Sequence, residues 1–492
     1  MKKKKVVIIG SGVAGLSTAI RLANGNYDVT VLESNNYVGG KLSEFSQNGF
    51  RFDKGPSLFT LPNLVLDLIK ESGLEKEVKF DFEKLDLVCN YFFEDGTKFS
   101  AYSELTKFTD ELKSKLNVEA EPIVKHLKHA EKTYHLIGEL FLEQSLHQLK
   151  NFTNKKTAKA LLQLSHYRLF KTLNQHNEAV LKHPKLVQYF NRFATYNGSS
   201  PYLTPAMLSI ISHVEHGFGA YFPKKGMYQI TDTLYNIALK KGVKFSLNTK
   251  AEQILVENKK VISVQTINAK IDADIVVSNM DVFHTYKKLL PYEKHPDKIL
   301  NQEKSSSALI FYWGIKHNFK ELDLHNIFFS NNYKEEFDAI FTKKEVYNDP
   351  TIYINITSKK LKTDAPDGCE NWFVMVNTPN NSGQDWKAIK EQTKQNVLKK
   401  LNRILGLDVA PLIAFEDYLD PILIEERTSS HLGALYGNAS NNKMAAFLRH
   451  PNFSKDINGL YFCGGSVHPG GGVPLAILSG KITAQLIKEK QY

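Results

Sequence analysis

Val6-Val7-Ile8-Ile9-Gly10-Ser11-Gly12-Val13-Ala14-Gly15 stands near the start of the chain, and Glu33 closes a second apolar run, Val29-Thr30-Val31-Leu32. Four consecutive apolar residues suit a strand buried on both faces, as in a parallel sheet. The glycines have separate tasks: Gly10 allows a tight turn, Gly12 lets the backbone approach a diphosphate, and Gly15 lets helix and strand pack closely. A helix predicted from Leu16 to Ala23 turns its unpaired N–H groups and positive dipole end toward that anion. Glu33, at the tip of the second strand, is placed to accept from both ribose hydroxyls. Strand, glycine turn, helix, strand and acid follow in the order that a dinucleotide site requires.

Two further stretches distinguish flavin from nicotinamide. After Glu33 come Ser34-Asn35-Asn36-Tyr37-Val38-Gly39-Gly40-Lys41 and then Phe52-Asp53-Lys54-Gly55-Pro56-Ser57, an extension that a nicotinamide site does not need. The glycine pair lets the chain pass beside the diphosphate, and Lys41 offsets its charge. At the far end, the apolar run Gly459 to Cys463 leads into Gly464-Gly465-Ser466-Val467-His468-Pro469-Gly470-Gly471-Gly472-Val473-Pro474 and a final helix through Ile487. A second glycine loop feeding a helix N-terminus implies that both ends of the chain meet on one long ligand, and FAD has that length. The last helix, starting near Pro474, would aim its dipole at the isoalloxazine, where negative charge gathers on reduction.

These stretches resemble the bacterial carotenoid desaturases, the phytoene desaturase group of flavoproteins, over nearly the whole chain. Tyr221-Phe222-Pro223-Lys224-Lys225-Gly226-Met227 and Ala273-Asp274-Ile275-Val276-Val277-Ser278-Asn279 carry the resemblance between the two ends. Within the group, Gly55 to Pro62, Ala194 to Tyr202, Ser307 to Gly314 and Pro469 to Leu475 look most like the 1-hydroxycarotenoid 3,4-desaturases. The resemblance implies FAD held by Gly10, Gly12, Val13, Ala14, Gly15, Glu33, Ser34, Gly40, Lys41, Gly55, Pro56, Ser57, Gly464, Gly465, Gly472, Val473 and Pro474, with Ala251 touching adenine through its backbone. The implied reaction is hydride transfer from a carbon beside a polyene to flavin N5, followed by loss of a proton from the neighbouring carbon. No catalytic base is identifiable: Glu215, His216, His431 and Arg168 read as structural. Tyr196, Phe222, Phe311, Tyr312 and Trp313 are candidates for lining a polyene tunnel, and Asn197 and Thr195 for meeting a substrate hydroxyl. The alternatives are a phytoene desaturase, a redox-silent carotenoid isomerase, an amine oxidase on the same fold, and a lipid-binding carrier without enzymatic activity.

Composition bounds the rest. A chain of 492 residues with 42% hydrophobic content supports a large core of two or three substructures. Cys89, Cys369 and Cys463, odd in number and widely spaced, argue against a disulfide framework and a zinc or other metal site, and suit a reducing cytosol. Cys463 beside the flavin loop reads as a buried strand cysteine rather than a covalent flavin link. Lys2 to Lys5 do not open a signal peptide, because the apolar run breaks at Gly10. No apolar stretch nears the ~20 residues of a spanning helix. Of the formal charge of +11, Lys150, Lys155, Lys156, Lys159, Arg168, Lys171, Lys182, Lys185 and Arg192 fall in a segment whose one acid is Glu178. Interleaved with leucines and aromatics, this reads as a basic amphipathic helix for an anionic membrane surface, with no nucleic-acid motif beside it.

The expected fold is α/β: a Rossmann-like FAD-binding domain of glutathione-reductase and amine-oxidase type, interleaved with a mixed-sheet substrate domain and a helical insert. Residues 1–75, 215–284 and 436–492 form the FAD domain, 76–104 and 285–435 the substrate domain, and 105–214 a helical, membrane-facing lid. With no second nucleotide fingerprint, oxygen or a quinone is the expected electron acceptor. The expected location is cytoplasmic, peripheral to the inner face of the cell membrane.

Overall fold

The structure, a computed structural model, describes residues 3–152, 168, 170–442 and 449–490. The elements used below begin with β1 (Lys4–Ile9), α1 (Val13–Ala23), β2 (Tyr27–Leu32), β3 (Leu87–Phe92), β4 (Lys98–Tyr102) and α2 (Ala120–Gly138). They continue with α3 (Tyr228–Lys240), β5 (Lys244–Ser246), β6 (Ile275–Ser278), β7 (Ser307–Ile315), β8 (His325–Phe328) and β9 (Ile352–Ile356). β10 (Glu370–Thr378), β11 (Ile413–Leu419), β12 (Leu460–Phe462) and α4 (Val473–Glu489) complete the set.

A five-stranded parallel sheet in the order β12-β6-β1-β2-β5 is assembled from both ends and the middle of the chain. The unbroken apolar run of β1 has a direct cause. Val6 and Ile8 pack into one core with α1, α3 and α4, while Val7 and Ile9 pack into a second with Val276, Leu460 and Phe462. Neither face meets water, so no polar alternation is possible. Each such fully buried aliphatic contributes about 1.5–3 kcal/mol relative to exposure.

A seven-stranded sheet in the order β11-β7-β10-β9-β8-β3-β4 forms the other layer, antiparallel throughout except between β8 and β3. Its strand β7, flanked by β11 and β10, is buried at all nine positions. Leu309, Phe311 and Trp313 face a core with Trp372 and Val374, and Ala308, Ile310 and Tyr312 face the opposite one with Phe50, Phe52 and Phe373. Between residues 105 and 214 the described elements are helical, α2 being the longest. Its buried face carries Ile123, Leu127, Ala130 and Ile137, at the spacing of one helical stripe.

The central part of the expected basic helix, with Lys155, Lys156 and Lys159, lies outside the described residues. Of its flanking cations, Lys150 pairs with Glu489 at 2.6 Å and Lys185 pairs with Asp95. Arg192 departs from the expected cationic face: it is only 4% exposed, because Glu215 draws it inward. Among the described residues no helix is long and apolar enough to cross a membrane. Cys89, Cys369 and Cys463 carry free thiols.

Candidate cofactor and substrate site

The turn after β1 and the start of α1 owe their shape to close approach. A Cβ on Gly15 would lie 2.4 Å from the Gly10 carbonyl oxygen, and one on Gly12 would lie 2.7 Å from Asn279 Oδ1. Gly12 also bridges to Gly39, whose N–H donates to the Ser11 carbonyl at 3.0 Å, so the two N-terminal glycine stretches lie side by side. Asn279, directly after β6, joins the two ends of the chain. Its Oδ1 accepts from the Gly15 N–H at 3.2 Å and its Nδ2 donates to the Cys463 carbonyl at 3.1 Å. The first and last loops, more than 440 residues apart, therefore share one side chain.

Glu33 follows β2 and is fixed in place before any ligand arrives. Oε2 accepts from the Ser11 N–H at 2.9 Å and its hydroxyl at 2.7 Å, and Oε1 accepts from the Asn35 N–H and amide, each at 2.9 Å. Lys41 donates to the Leu435 carbonyl at 2.9 Å and bonds no carboxylate among the described residues. Burial brings its pKa down to about 8. At the other loop, α4 begins with Gly472 as its cap and Pro474 in its first turn. A Cβ on Gly472 would meet nothing within 4 Å, which marks this turn as open toward the cavity. The first-turn N–H groups of α4 have no acceptor within the helix, as at any helix start.

One cavity of about 1080 Å³ runs along all of these groups. That exceeds the ~300–1,000 Å³ of ordinary small-molecule pockets and leaves room for a cofactor with part of a second ligand. Gly10, Gly12, Val13, Ala14, Glu33, Ser34, Gly40, Lys41, Gly55, Pro56, Ser57, Ala251, Gly464, Gly465, Gly472, Val473 and Pro474 line it, while Gly15 lies behind. The residues present fit an FAD. They offer a glycine-walled cradle at a helix start, a preset carboxylate for a ribose, a buried cation without a bonded acid, and a second helix start facing the same space.

The cavity continues into an apolar chamber. Ile137, Phe141, Met207 and Ile211 approach from the helical insert, and Ile310, Phe329, Phe373 and Met375 from the mixed sheet. Tyr196 and Asn197 line the cavity as well. Phe222, Phe311, Tyr312 and Trp313 do not; the structure packs them into cores. Phe311 and Trp313 point to the far side of β7, Phe222 lies among Tyr189, Phe190 and Phe193, and the Tyr312 hydroxyl donates to the Lys54 carbonyl at 2.7 Å. Aromatic character alone did not tell which face of a doubly buried strand points to the cavity. Asn197 and Thr195 line it with their polar groups already engaged, by Arg449 and Ser440 and by the Arg192 carbonyl respectively.

Two polar clusters interrupt the apolar wall. Arg192 pairs with Glu215 at 2.5 Å and donates to the Tyr196 hydroxyl at 2.7 Å, and that hydroxyl donates to the other Glu215 oxygen. Burial acts to raise the Glu215 pKa, but Arg192, His216 and the hydrogen bond from Tyr196 together hold it below the ordinary carboxylate value. In the second cluster the Tyr353 hydroxyl lies 2.7 Å from both Ser57 Oγ and His325 Nδ1. Burial lowers His325 to about 4, so its ring is neutral at physiological pH, and its Nε2 has no partner among the described residues. His216 and His431 do not line the cavity; His216 bonds Tyr189, and His431 stacks on Phe283 at 3.5 Å. Arg168 is held by His176.

Sequence reading missed Asn279, Asp281, Tyr353, His325 and Arg449, all of which line the cavity. A signal existed for the first two, since they follow a parallel strand at its C-terminal end, where ligands of such sheets bind. None existed for Tyr353 and His325, which reach the cavity from neighbouring strands of the mixed sheet.

The sequence profile of flavin-containing amine oxidoreductases matches residues 13–488. The chain is 51% identical over 484 residues to a 1-hydroxycarotenoid 3,4-desaturase from Flavobacterium sp. (strain P99-3), covering 98% of this chain and 99% of that one. It is 30% identical over 518 residues to a phytoene desaturase of Neurospora crassa, covering 100% of this chain and 86% of that one. Among solved structures, cyclohexylamine oxidase from Brevibacterium oxydans IH-35A matches with a TM-score of 0.63 at 15% identity, covering 99% of each chain. That likeness shows the shared fold.

Proposed function

The chain belongs to the flavin-containing amine oxidoreductase family, and from that premise we propose that it is an FAD-dependent desaturase forming the 3,4 double bond of acyclic carotenoids that carry a C1 hydroxyl. The observation that carries this reading is a single cavity in which two nucleotide loops open onto an apolar chamber containing a buried Arg192–Glu215 pair. The 51% identical relative bears the same activity in its name.

The Gly10–Ala14 turn with Gly40 and Lys41 would hold the diphosphate, Glu33 and Ser34 a ribose, and the Ala251 backbone the adenine. Gly55 to Ser57, Gly464, Gly465 and Gly472 to Pro474 would hold the ring end. Bound there, FAD supplies the acceptor for a hydride. The chain's own part is to bind, orient and desolvate. Ile310, Phe329, Phe373 and Met375 give a polyene an apolar surface from which water is excluded, so that the reacting carbons are held in one register. Glu215, kept ionised by Arg192, has lone pairs left after its bonds to Arg192 and Tyr196, and accepts the substrate hydroxyl. A chain lacking that hydroxyl forgoes a hydrogen bond to a charged acceptor, which disfavours it by about 1.5–3 kcal/mol.

The strands of the parallel sheet support grouping 1–75, 215–284 and 436–492 as the cofactor unit, with 76–104 and 285–435 around the mixed sheet and 105–214 as the lid. Peripheral membrane binding at the cytoplasmic face is part of the reading, because the substrate dissolves in lipid. Phe170, 85% exposed, and Leu203, 48% exposed, flank the bridge between Thr172 and Pro205 on either side, with the exposed Lys171 next to Phe170. Oxygen or a membrane quinone would reoxidise the flavin.

The test is expression in cells supplied with acyclic carotenoids that carry or lack a C1 hydroxyl, followed by product absorption. A red shift with the hydroxylated pool alone is expected. Conversion of phytoene, or altered isomer ratios at unchanged conjugation, refutes the assignment in favour of a phytoene desaturase or an isomerase.

A further inference from the structure

Arg449 is buried to 2% exposure and lines the cavity beside the C-terminal glycine loop. The four Nη hydrogens of its guanidinium are engaged, and its charge is uncompensated. Nη1 donates to the Tyr436 and Gly465 carbonyls at 3.0 and 3.2 Å, and Nη2 donates to the Asn438 carbonyl at 2.8 Å and Asn197 Oδ1 at 3.1 Å. All four acceptors are neutral, and among the described residues no carboxylate pairs with it. Burial alone moves its pKa, down to about 10, which leaves it charged at physiological pH. A second buried cation adds to the imbalance. Lys304, also buried, donates to Asn438 Oδ1 at 2.8 Å, so two positive charges share Asn438. Asp281 acts on Lys304 and Lys41 but does not bond either.

A buried charge without a counter-ion is disfavoured by several kcal/mol. A fold keeps one where an anion arrives in use. The guanidinium touches the loop of Gly465 and Gly470, on the side from which Gly465, Gly471 and Gly472 face the cavity. A flavin that takes up a hydride, two electrons and one proton, gains one net negative charge, spread over N1 and the C2 oxygen. We propose that Arg449 is the fixed counter-charge for the reduced flavin ring: a positioning and potential-setting residue, held by four carbonyls, that raises the reduction potential of the bound FAD. The proposal rests on the FAD reading of the cavity and is independent of which carotenoid is the substrate.

The test uses the flavin-loaded enzyme and the variants Arg449→Lys, Arg449→Gln and Arg449→Met. Midpoint potentials are measured against reference dyes, and affinity is measured for sulfite, whose adduct at N5 places the same negative charge on the ring. Removing the charge in Arg449→Gln or Arg449→Met is expected to disfavour the reduced form about a hundredfold, equivalent to about 60 mV for a two-electron couple. Sulfite affinity should fall in parallel, and Arg449→Lys should stay within tenfold of wild type on both readouts. A flavin-loaded Gln or Met variant with wild-type potential and sulfite affinity overturns the proposal and leaves Arg449 as a clamp on the loop. So does loss of FAD from both neutral variants while Arg449→Lys holds it, because the charge then serves retention of the cofactor. A wild-type chain that carries no FAD defeats the cavity assignment instead.

Discussion

Replacing Gly12 by alanine separates two effects that the first loop combines. Gly12 has φ −64° and ψ 168°, a conformation open to alanine, so backbone strain plays no part. The added Cβ would lie 2.7 Å from Asn279 Oδ1, inside normal contact. Asn279 cannot retreat without releasing the Gly15 N–H and the Cys463 carbonyl, the bonds that tie the first loop to the last. Losing both costs about 2 kcal/mol at ~1 kcal/mol each, and residual overpacking adds about 1–3 kcal/mol. Gly12→Ala is therefore expected to destabilise the FAD-free chain by about 3–5 kcal/mol. Asn279→Ala alone should cost about 2 kcal/mol, and the double variant about the same, because the obstacle has gone. FAD affinity follows a different rule. The methyl group stands where a diphosphate must approach, so binding stays weakened in the double variant. Urea denaturation of the FAD-free chain reads the first effect and quenching of flavin fluorescence reads the second. Additive stability losses would refute the clash, and wild-type FAD affinity in the double variant would refute the placement of the diphosphate at this loop.

Three further outcomes are expected. In the FAD-free chain Lys41 titrates at about 8, below its unfolded value of 10.5, so its contribution to stability grows as pH rises between those values. Bound diphosphate favours the charged amine; FAD affinity should therefore be full below pH 8 and fall above it, and an equally steep fall in Lys41→Met would exclude this lysine as the cause. Glu215→Gln leaves Arg192 buried and unpaired and should destabilise by about 3–5 kcal/mol, whereas Arg192→Met with Glu215→Gln removes both charges and should cost less. Both are expected to lose about tenfold in kcat/KM preference for C1-hydroxylated over unhydroxylated carotenoids, and an unchanged ratio excludes Glu215 from hydroxyl recognition. Phe170→Ser with Leu203→Ser should weaken co-sedimentation with anionic liposomes by tenfold or more, since each buried apolar side chain is worth about 1.5–3 kcal/mol; unaltered co-sedimentation removes this edge from the membrane face.

Local chemistry made the cofactor loops legible in the sequence. The spacing of Gly10, Gly12 and Gly15, the acid at Glu33 and the glycine loop before Pro474 each follow from what a backbone must do to pass a diphosphate or start a helix, and no distant residue is needed to read them. The parallel sheet was legible for the same reason, since the unbroken apolar runs at Val6 and Ile275 demand cover on both faces. What lay beyond reach was direction and pairing. Phe311 and Trp313 are as apolar as any tunnel lining, yet their neighbour Ile310 reaches the cavity and they do not, because β7 is buried on both sides and its pattern does not say which side is hollow; Tyr312 shares the face of Ile310 but packs with Phe52 and Phe373 and gives its hydroxyl to the Lys54 carbonyl. Arg192 reads as one more cation in a basic segment until the fold sets Glu215 against it, and Arg449 gives no sign of its isolation until four carbonyls close around it. Bond geometry within a few residues is written in the chain itself; the electrostatic environment of a side chain belongs to segments hundreds of residues away, and only folding brings them together.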